Sequence, residues 1–393
     1  MLQEEYDLLV VGGGPGGATA ALVGARRGLK VLLVEKRQEI GSPVRCAEAL
    51  GYTLLEPYIP VDERWVCAWI DAFRIVGPSG KAVRVPPTDP TVVVERKIFD
   101  RELVNEAVRA GATVRAMTRV IGVLKEDGYV CGARMVSLGR EVEVRSRVLI
   151  AADGPESQVG RWAGLHTTPR LSEYYTALQY LLGGIELADP RECQYHLGAE
   201  VAPGGYCWVF PKGPDKANVG IVITTTYEKH GRSAQEYLDA FVERLFPEAS
   251  ILGMVLGGIP VGGTVRQLVD NGIMLVGDAA HQAEPLTGGG INLAMFAGDM
   301  AASVAAEAIA RGDVSRQALE PYARRWHREH GKGISAMSKA RHMALKFSDE
   351  RIESLIELAS GLPLEEMSAF DIILRVLRHD PALLLQARAF IFP

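Results

Sequence analysis

The stretch richest in chemically useful residues is 7–36, DLLVVGGGPGGATAALVGARRGLKVLLVEK. An apolar run at 8–11 leads into Gly12, Gly14 and Gly17 at G-x-G-x-x-G spacing, with Pro15 and Gly16 inside the pattern. A small-residue segment follows, then a second apolar run at 31–34 that ends on Glu35 and Lys36. That order of residue types suits the binding of a dinucleotide. Gly12 permits a tight turn out of the strand, Gly14 lets a pyrophosphate approach backbone N–H groups, and Gly17 lets the helix lie close to the sheet. The helix N-terminus turns its positive end toward the phosphates. Glu35 stands where a carboxylate accepts hydrogen bonds from ribose hydroxyls. A lone glycine pattern says little in a chain with 42 glycines, but here strand, glycines, helix, second strand and terminal acid fall in register.

Four other places carry chemistry. Asp153-Gly154 follows an apolar run at 142–150, a turn suited to approach a bound cofactor. Gly277-Asp278 follows the run 273–276, and Gly288, Gly289, Gly290 and Ile291 then open an Ala-rich helix through Ala310. Glycines meet a helix N-terminus there a second time, ready to hold an anion or the polar edge of a ring. A loop marked by Gly41 and Pro43 carries Cys46. Tyr206, Trp208 and Phe210 alternate along a predicted strand and so share one face, with Lys212 just beyond.

The elements that must position these residues read as follows. Strands are predicted at 72–76, 82–85, 91–94, 114–123, 130–135 and 142–150, with a helix over 95–110 whose Phe99, Leu103, Val104 and Ala107 lie on one face. Residues 171–264 are β-rich, with strands at 174–181, 205–210 and 219–223 and one helix over 233–245. From 311 onward the pattern is helical. Between 311 and 347 nine Arg or Lys face three acids, a local charge of +6. Apolar runs follow at 372–374, 376–377 and 383–385, and the chain ends Phe390-Ile391-Phe392-Pro393.

With 393 residues the chain is too long for one ordinary core and predicts two domains with a helical extension. A net charge of −5 argues against nucleic acid as a partner. No window is an unbroken apolar run of the length a membrane span needs, and residues 1–11 run straight into a strand without a secretory signal. The expectation is a cytoplasmic protein that rests on a membrane surface. Cys46, Cys67, Cys131, Cys193 and Cys207 are scattered without metal-ligand spacing, which fits a reducing compartment.

The three separated motifs, taken in order, resemble the flavoproteins of the para-hydroxybenzoate hydroxylase fold. That likeness implies an α/β (α+β) architecture with a Rossmann-like domain that binds FAD, the late Gly-Asp turn holding the ribityl region. Two further stretches narrow it. Residues 206–212, YCWVFPK, match the Y-x-W-x-F-P-K pattern of the geranylgeranyl reductases, and 43–48, PVRCAE, resembles their cysteine-bearing loop. Residues 94–100 resemble the region of their flavin-contacting arginine, which puts Arg96 at the matching position. The chain departs at Ala49, where a glycine is expected. The likeness covers roughly residues 5–340 and is greatest to the reductases of archaeal ether phospholipids.

The resemblance implies FAD contacts from Gly12, Gly14, Pro15, Gly16, Gly17, Glu35, Lys36, Arg45, Cys46, Ala47, Arg96, Val120, Asp153, Gly154, Gly277, Asp278, Gly288, Gly289, Gly290 and Ile291. It implies an isoprenoid substrate contacted by Tyr206, Trp208, Phe210 and Lys212, the rings guiding the chain. Cys46 has three open roles: proton donor, flavin tuner or structural thiol. Lys212 meets a phosphate, a flavin or solvent; His281 is read as a packing residue. Electrons come from NAD(P)H or a ferredoxin-like carrier. The basic segment holds an anionic headgroup at the inner membrane surface, or is a solvated face. The expected division is an FAD domain of 1–55, 91–165 and 265–320, a substrate sheet of 56–90 and 166–264, and a helical region of 321–393. The competing reaction class is an FAD monooxygenase of small aromatics using NADPH and oxygen; a flavin- or lipid-binding protein without catalysis is the third reading.

Overall fold

The computed structural model describes residues 4–224 and 231–362. The apolar runs between 372 and 393 lie outside the described residues.

β1 (Glu4–Val11) carries Leu8, Leu9 and Val10 with no exposed surface. A run apolar on both faces belongs in the middle of a parallel sheet, and each such side chain contributes roughly 2 kcal/mol of burial. α1 (Pro15–Arg26) starts with proline in its first turn, which the missing N–H tolerates, and buries Ala18, Ala20 and Ala21. β2 (Val31–Val34) follows, fully buried. Then come β3 (Ala49–Gly51), β4 (Val66–Ile70), β5 (Ala72–Val76), β6 (Ala82–Val85) and β7 (Thr91–Val94). α2 (Arg96–Arg109) buries Phe99, Leu103, Val104 and Ala107 along one stripe. β8 (Thr113–Arg115) and β9 (Thr118–Glu126) correct the single strand expected at 114–123. Met117 between them sits at φ +49°, a left-handed kink that ends one strand and aims the next at a different partner. β10 (Tyr129–Ser137) and β11 (Arg140–Ala151) complete an antiparallel meander with β9.

After α3 (Gln158–Ala163) come β12 (Tyr174–Gly183), β13 (Glu192–His196), β14 (Tyr206–Pro211) and β15 (Lys216–Thr224). α4 (Ala234–Leu245) begins at Ser233 with a reciprocal capping box to Glu236. β16 (Ser250–Pro260), β17 (Val269–Asp270) and β18 (Ile273–Leu275) lead to the long α5 (Ile291–Arg311). α6 (Arg316–Trp326), a π-helical turn at His327–Gly331, α7 (Lys332–Ala344) and α8 (Asp349–Ser360) close the described chain.

Two sheets dominate. The first runs β17-β18-β11-β1-β2-β8, parallel except at β17, with the meander branching from β11. The second runs β16-β12-β15-β14-β13-β5-β6, so the early strands β5 and β6 join strands made more than 100 residues later. A small sheet, β3-β7-β4, stands beside them. One face of the second sheet packs Leu178, Tyr180, Leu182, Val209, Val219 and Ile221 under Tyr237, Leu238 and Phe241 of α4. The opposite face is the aromatic one.

Among the described residues one helix, α5, is long and apolar enough by length and composition to span a bilayer, although Asp299 and Glu307 break its apolar run. It is mostly buried and packs on α1 as a core helix. Gly16 and Gly298 form their crossing: a Cβ placed at Gly298 would sit 2.2 Å from the Gly16 carbonyl oxygen. The helix backbones touch. Gly298→Val therefore forces α5 off α1 and costs about 3 kcal/mol by overpacking, read as a lower denaturant midpoint in guanidinium titration.

Candidate active site

Residues 12, 153 and 278 meet because of strand register. Val11 pairs with Ala151, and Ala151 pairs with Leu275, so β1, β11 and β18 end side by side. The ladder continues past their ends, with the Ala152 N–H donating to Val11 O and the Val276 N–H to Ala151 O. All three turns thus open at the carboxyl edge of one parallel sheet, where ligands of such sheets bind.

Gly12 sits at φ +109°, and a Cβ there would lie 2.2 Å from Ala152 O, so only glycine makes the turn. A Cβ on Gly17 would lie 1.9 Å from Gly12 O, so α1 rests on the strand end. Nothing lies within 4 Å of the same point on Gly14, which faces open space. Glu35 accepts from the Gly13 N–H at 2.8 Å and the Arg37 N–H at 2.9 Å. Asp153 accepts from the Val159 N–H at 2.9 Å through one oxygen, while the other is buried with no partner. Burial raises its pKa. Asp278 takes no hydrogen bond on its carboxylate among the described residues, and burial pushes its pKa up to about 6. The N-caps of α1 and α5 are Gly14 and Gly290, neither with a side-chain cap. An orphaned buried acid, a second acid without a donor, room above Gly14 and two bare helix N-termini fit the hydroxyls and phosphates of FAD.

Residues that carried no signal in the sequence hold the Gly277 turn. Gln282 accepts from the Gly277 N–H at 2.7 Å and donates to the Tyr322 hydroxyl at 2.9 Å, which in turn donates to Leu275 O at 2.8 Å. His281 is a packing residue, buried and 2.9 Å from Thr167 O. Glu284 accepts from the N–H groups of Leu286 and Thr287 and shapes the loop before Gly288, Gly289 and Gly290. Ile291 begins α5 buried.

The Cys46 loop lies between this edge and the aromatic sheet. The Cys46 sulfur accepts from the Glu48 N–H at 3.2 Å. Burial pushes the thiol's pKa up, and Arg96 pulls it down. Burial opposes the Arg96 charge, yet Asp100 holds it with two parallel bonds of 2.9 and 2.7 Å. Ala47 packs against the aromatic cluster, and its carbonyl accepts from Asn218 at 3.2 Å. Among the described residues Arg45 and Lys36 form ion pairs with Glu156, at 3.5 and 3.9 Å and half exposed, which is worth little. Val120 is buried in the core of the first sheet, two residues past Thr118, whose N–H bonds Glu35 O. Gly154 turns at φ +77° behind Asp153.

Tyr206, Trp208 and Phe210 share the aromatic face with Tyr175, Tyr195 and Phe73. Tyr195 is its hub, edge-on to Tyr206 at 5.3 Å and to Phe210 at 5.4 Å. It lies on β13, a strand too short and polar to be read from the sequence. The Trp208 indole lies across Gly220 of β15, where a Cβ would be 2.1 Å from the ring, and donates to Gln179 at 3.2 Å. Trp208 and Phe210 are buried, whereas Tyr206 reaches the loop before Gly288 and donates to Thr287 O. The expected substrate contact by Lys212 is corrected. Its side chain is 4% exposed, and the ammonium lies 2.8 Å from Glu48, 2.8 Å from Val94 O and 3.1 Å from Glu95. Three donors meet three oxygens, and none is left for a ligand. The basic segment is likewise only partly solvated: Arg325 and Arg328 pair with Glu329, and Arg341 is buried against Tyr175.

A parallel sheet whose carboxyl edge is shaped for a dinucleotide, with an aromatic sheet beside it, defines an FAD-dependent oxidoreductase. Residues 7–169 match the FAD dependent oxidoreductase family, and residues 173–259 match the geranylgeranyl reductase catalytic domain. The digeranylgeranylglycerophospholipid reductase of Methanosarcina acetivorans is 44% identical over 98% of this chain and 96% of its own. One of Methanococcoides burtonii is 42% identical over the same shares. The chain belongs to the geranylgeranyl reductase family. A crystal structure of a geranylgeranyl bacteriochlorophyll reductase-like protein from Thermoplasma acidophilum superposes with a TM-score of 0.95, at 36% identity over 99% of this chain and 100% of that one. A myxobacterial chondrochloren halogenase shares the fold at 22% identity and a TM-score of 0.68, over 95% and 96% of the two chains.

The Asp278 environment predicts a pH effect. Its folded pKa of about 6 lies above the ordinary 3.8, so the fold favours the neutral acid. That contribution is complete below about pH 4 and is lost as pH rises through about 6. In flavin-stripped protein, Asp278→Asn removes the loss and gains on the order of 1–2 kcal/mol over wild type between pH 4 and 6.5, measured by thermal unfolding across that range.

Proposed function

We propose that this flavoenzyme saturates the isolated C=C bonds of geranylgeranyl chains carried by an archaeal ether phospholipid. The observation that carries the reading is the Cys46 thiol, held between the cofactor edge and a sheet face of rings. FAD, bound and reduced, supplies the hydride. The chain's own residues do the rest. An isolated alkene offers no carbonyl to delocalise charge, so positioning supplies much of the catalysis. Tyr206, with Trp208 and Phe210 behind it, presents π faces that favour cation-like character at the alkene. Cys46 delivers the proton: the S–H bond breaks, a C–H bond forms at one alkene carbon, and hydride arrives at the other. Burial keeps the thiol protonated beforehand. The Glu48 N–H and the nearby Arg96 charge then hold the thiolate until solvent returns a proton.

Electron supply is assigned to a transiently docking donor, NAD(P)H or a ferredoxin-like protein. The protein works at the cytoplasmic surface of the membrane that holds its substrate, with the exposed basic residues of α6 and α7 toward anionic headgroups.

The test is anaerobic. Dithionite-reduced protein mixed with digeranylgeranyl phospholipid should reoxidise its flavin while the lipid gains two hydrogens in mass per bond reduced. Cys46→Ser should lower the rate about a hundredfold or more, and Trp208→Ala about tenfold, both with FAD retained. A flavin that stays reduced with the lipid but reoxidises with oxygen and a phenol would make the enzyme a hydroxylase instead.

A further inference from the structure

The Lys212 cluster is more elaborate than a structural ion pair requires. Lys212 continues the alternation of Tyr206, Trp208 and Phe210, so the strand that carries the rings also delivers this ammonium. It meets Glu48, two residues after Cys46, inside the protein. One Glu48 oxygen accepts from Lys212 at 2.8 Å and from Asn218 at 2.5 Å. The other accepts from the Arg96 N–H at 2.9 Å, the first residue of α2. The Glu48 carbonyl accepts from the Val94 N–H, and its own N–H is the donor to the Cys46 sulfur. Asn218 also donates to Ala47 O at 3.2 Å. The polar groups of Ala47 and Glu48 are thus tied to the substrate sheet on one side and to the start of α2 on the other.

The backbone agrees. Glu48 sits at φ +76°, a left-handed conformation that a non-glycine residue keeps only where its surroundings impose it. A buried ion pair is also a poor device for stability alone, because apolar residues of the same volume often serve as well. What it does supply is a fixed geometry.

We propose that Lys212 is a positioning residue, which through Glu48 fixes the Cys46 sulfur relative to the rings of β14. Proton donor and alkene-binding face then move as one unit. This rests on the assignment of Cys46 as proton donor, and the test separates the two.

Three readouts are taken on the FAD-loaded protein: kcat and KM with digeranylgeranyl phospholipid, FAD content, and the rate at which iodoacetamide alkylates Cys46, followed by peptide mass spectrometry with Cys131 as the internal reference. The double variant K212M/E48Q removes both charges together and avoids stranding either one. It should keep FAD, lose at least tenfold in kcat, hold KM within about twofold, and alkylate Cys46 at least threefold faster with Cys131 unchanged. N218A, a milder neutral change, should move kcat and alkylation the same way by a smaller factor, and keeps the test decisive if the double variant does not fold. K212R in a wild-type background should retain most of kcat.

A raised KM with kcat intact would make Lys212 a substrate contact and overturn the proposal. So would an unchanged alkylation rate in folded, FAD-loaded K212M/E48Q or N218A. If Cys46→Ser turns over like wild type, the proton-donor assignment fails; the alkylation rates still report whether Lys212 holds the sulfur.

Discussion

The register of three parallel strands is the constraint on which everything else depends. Val11, Ala151 and Leu275 stand side by side although about 140 and 124 residues of chain separate them. Their side chains are buried on both faces of the sheet, so a slip would move apolar groups without removing them from the core. What holds the ends level is backbone. The ladder runs on through Ala152 and Val276, and Gly12 lies so close to Ala152 that no side chain fits between them. The cofactor edge is largely a product of main-chain geometry, with acids added at Glu35, Asp153 and Asp278 and the Gly277 turn braced by Gln282 and Tyr322.

The second sheet is organised on the opposite principle. Its site face is built of side chains: rings on β14 and β13 that meet edge to face, Phe73 of β5 tilted against Tyr195, and Tyr175 of β12 in the same cluster. The Cys46 loop is the joint between the two kinds of surface. Small residues, Ala47 and Ala49, press on the rings, and a polar cluster centred on Glu48 ties the loop to both sides. Burying that much charge is tolerable because each atom has a partner.

Much of this was legible in the sequence, and the rest was hidden for definite reasons. The glycine spacing, the apolar runs and the terminal acids announced the cofactor edge because each reports a local backbone need. The alternation of Tyr206, Trp208 and Phe210 announced a shared face. Their partner Tyr195 was invisible, since β13 is five residues long and interleaves charged and polar types. β16 was missed because its glycines, at 253, 257 and 258, mask a strand; at Gly258 the missing side chain makes room for Tyr174. Lys212 misled for the opposite reason. A lysine after a strand reads as solvated, and only the fold reveals a carboxylate from 164 residues earlier in the chain beside it. Gln282 and Tyr322 likewise act through contacts that no spacing encodes.

The interleaving of the two sheets bears on how the protein is made. β5 and β6 emerge early, but their neighbour β13 comes some 120 residues later, and β18 closes the first sheet only at residue 275. Throughout that interval the growing chain carries a β-hairpin with an open edge and a parallel sheet lacking its last inner strand. Such edges pair readily with the wrong partner. The amino-terminal half is therefore no separable unit. Synthesis must pass residue 224 before the second sheet has all its inner strands and residue 275 before the first does, and helpers that shield nascent chains have most to offer before those points.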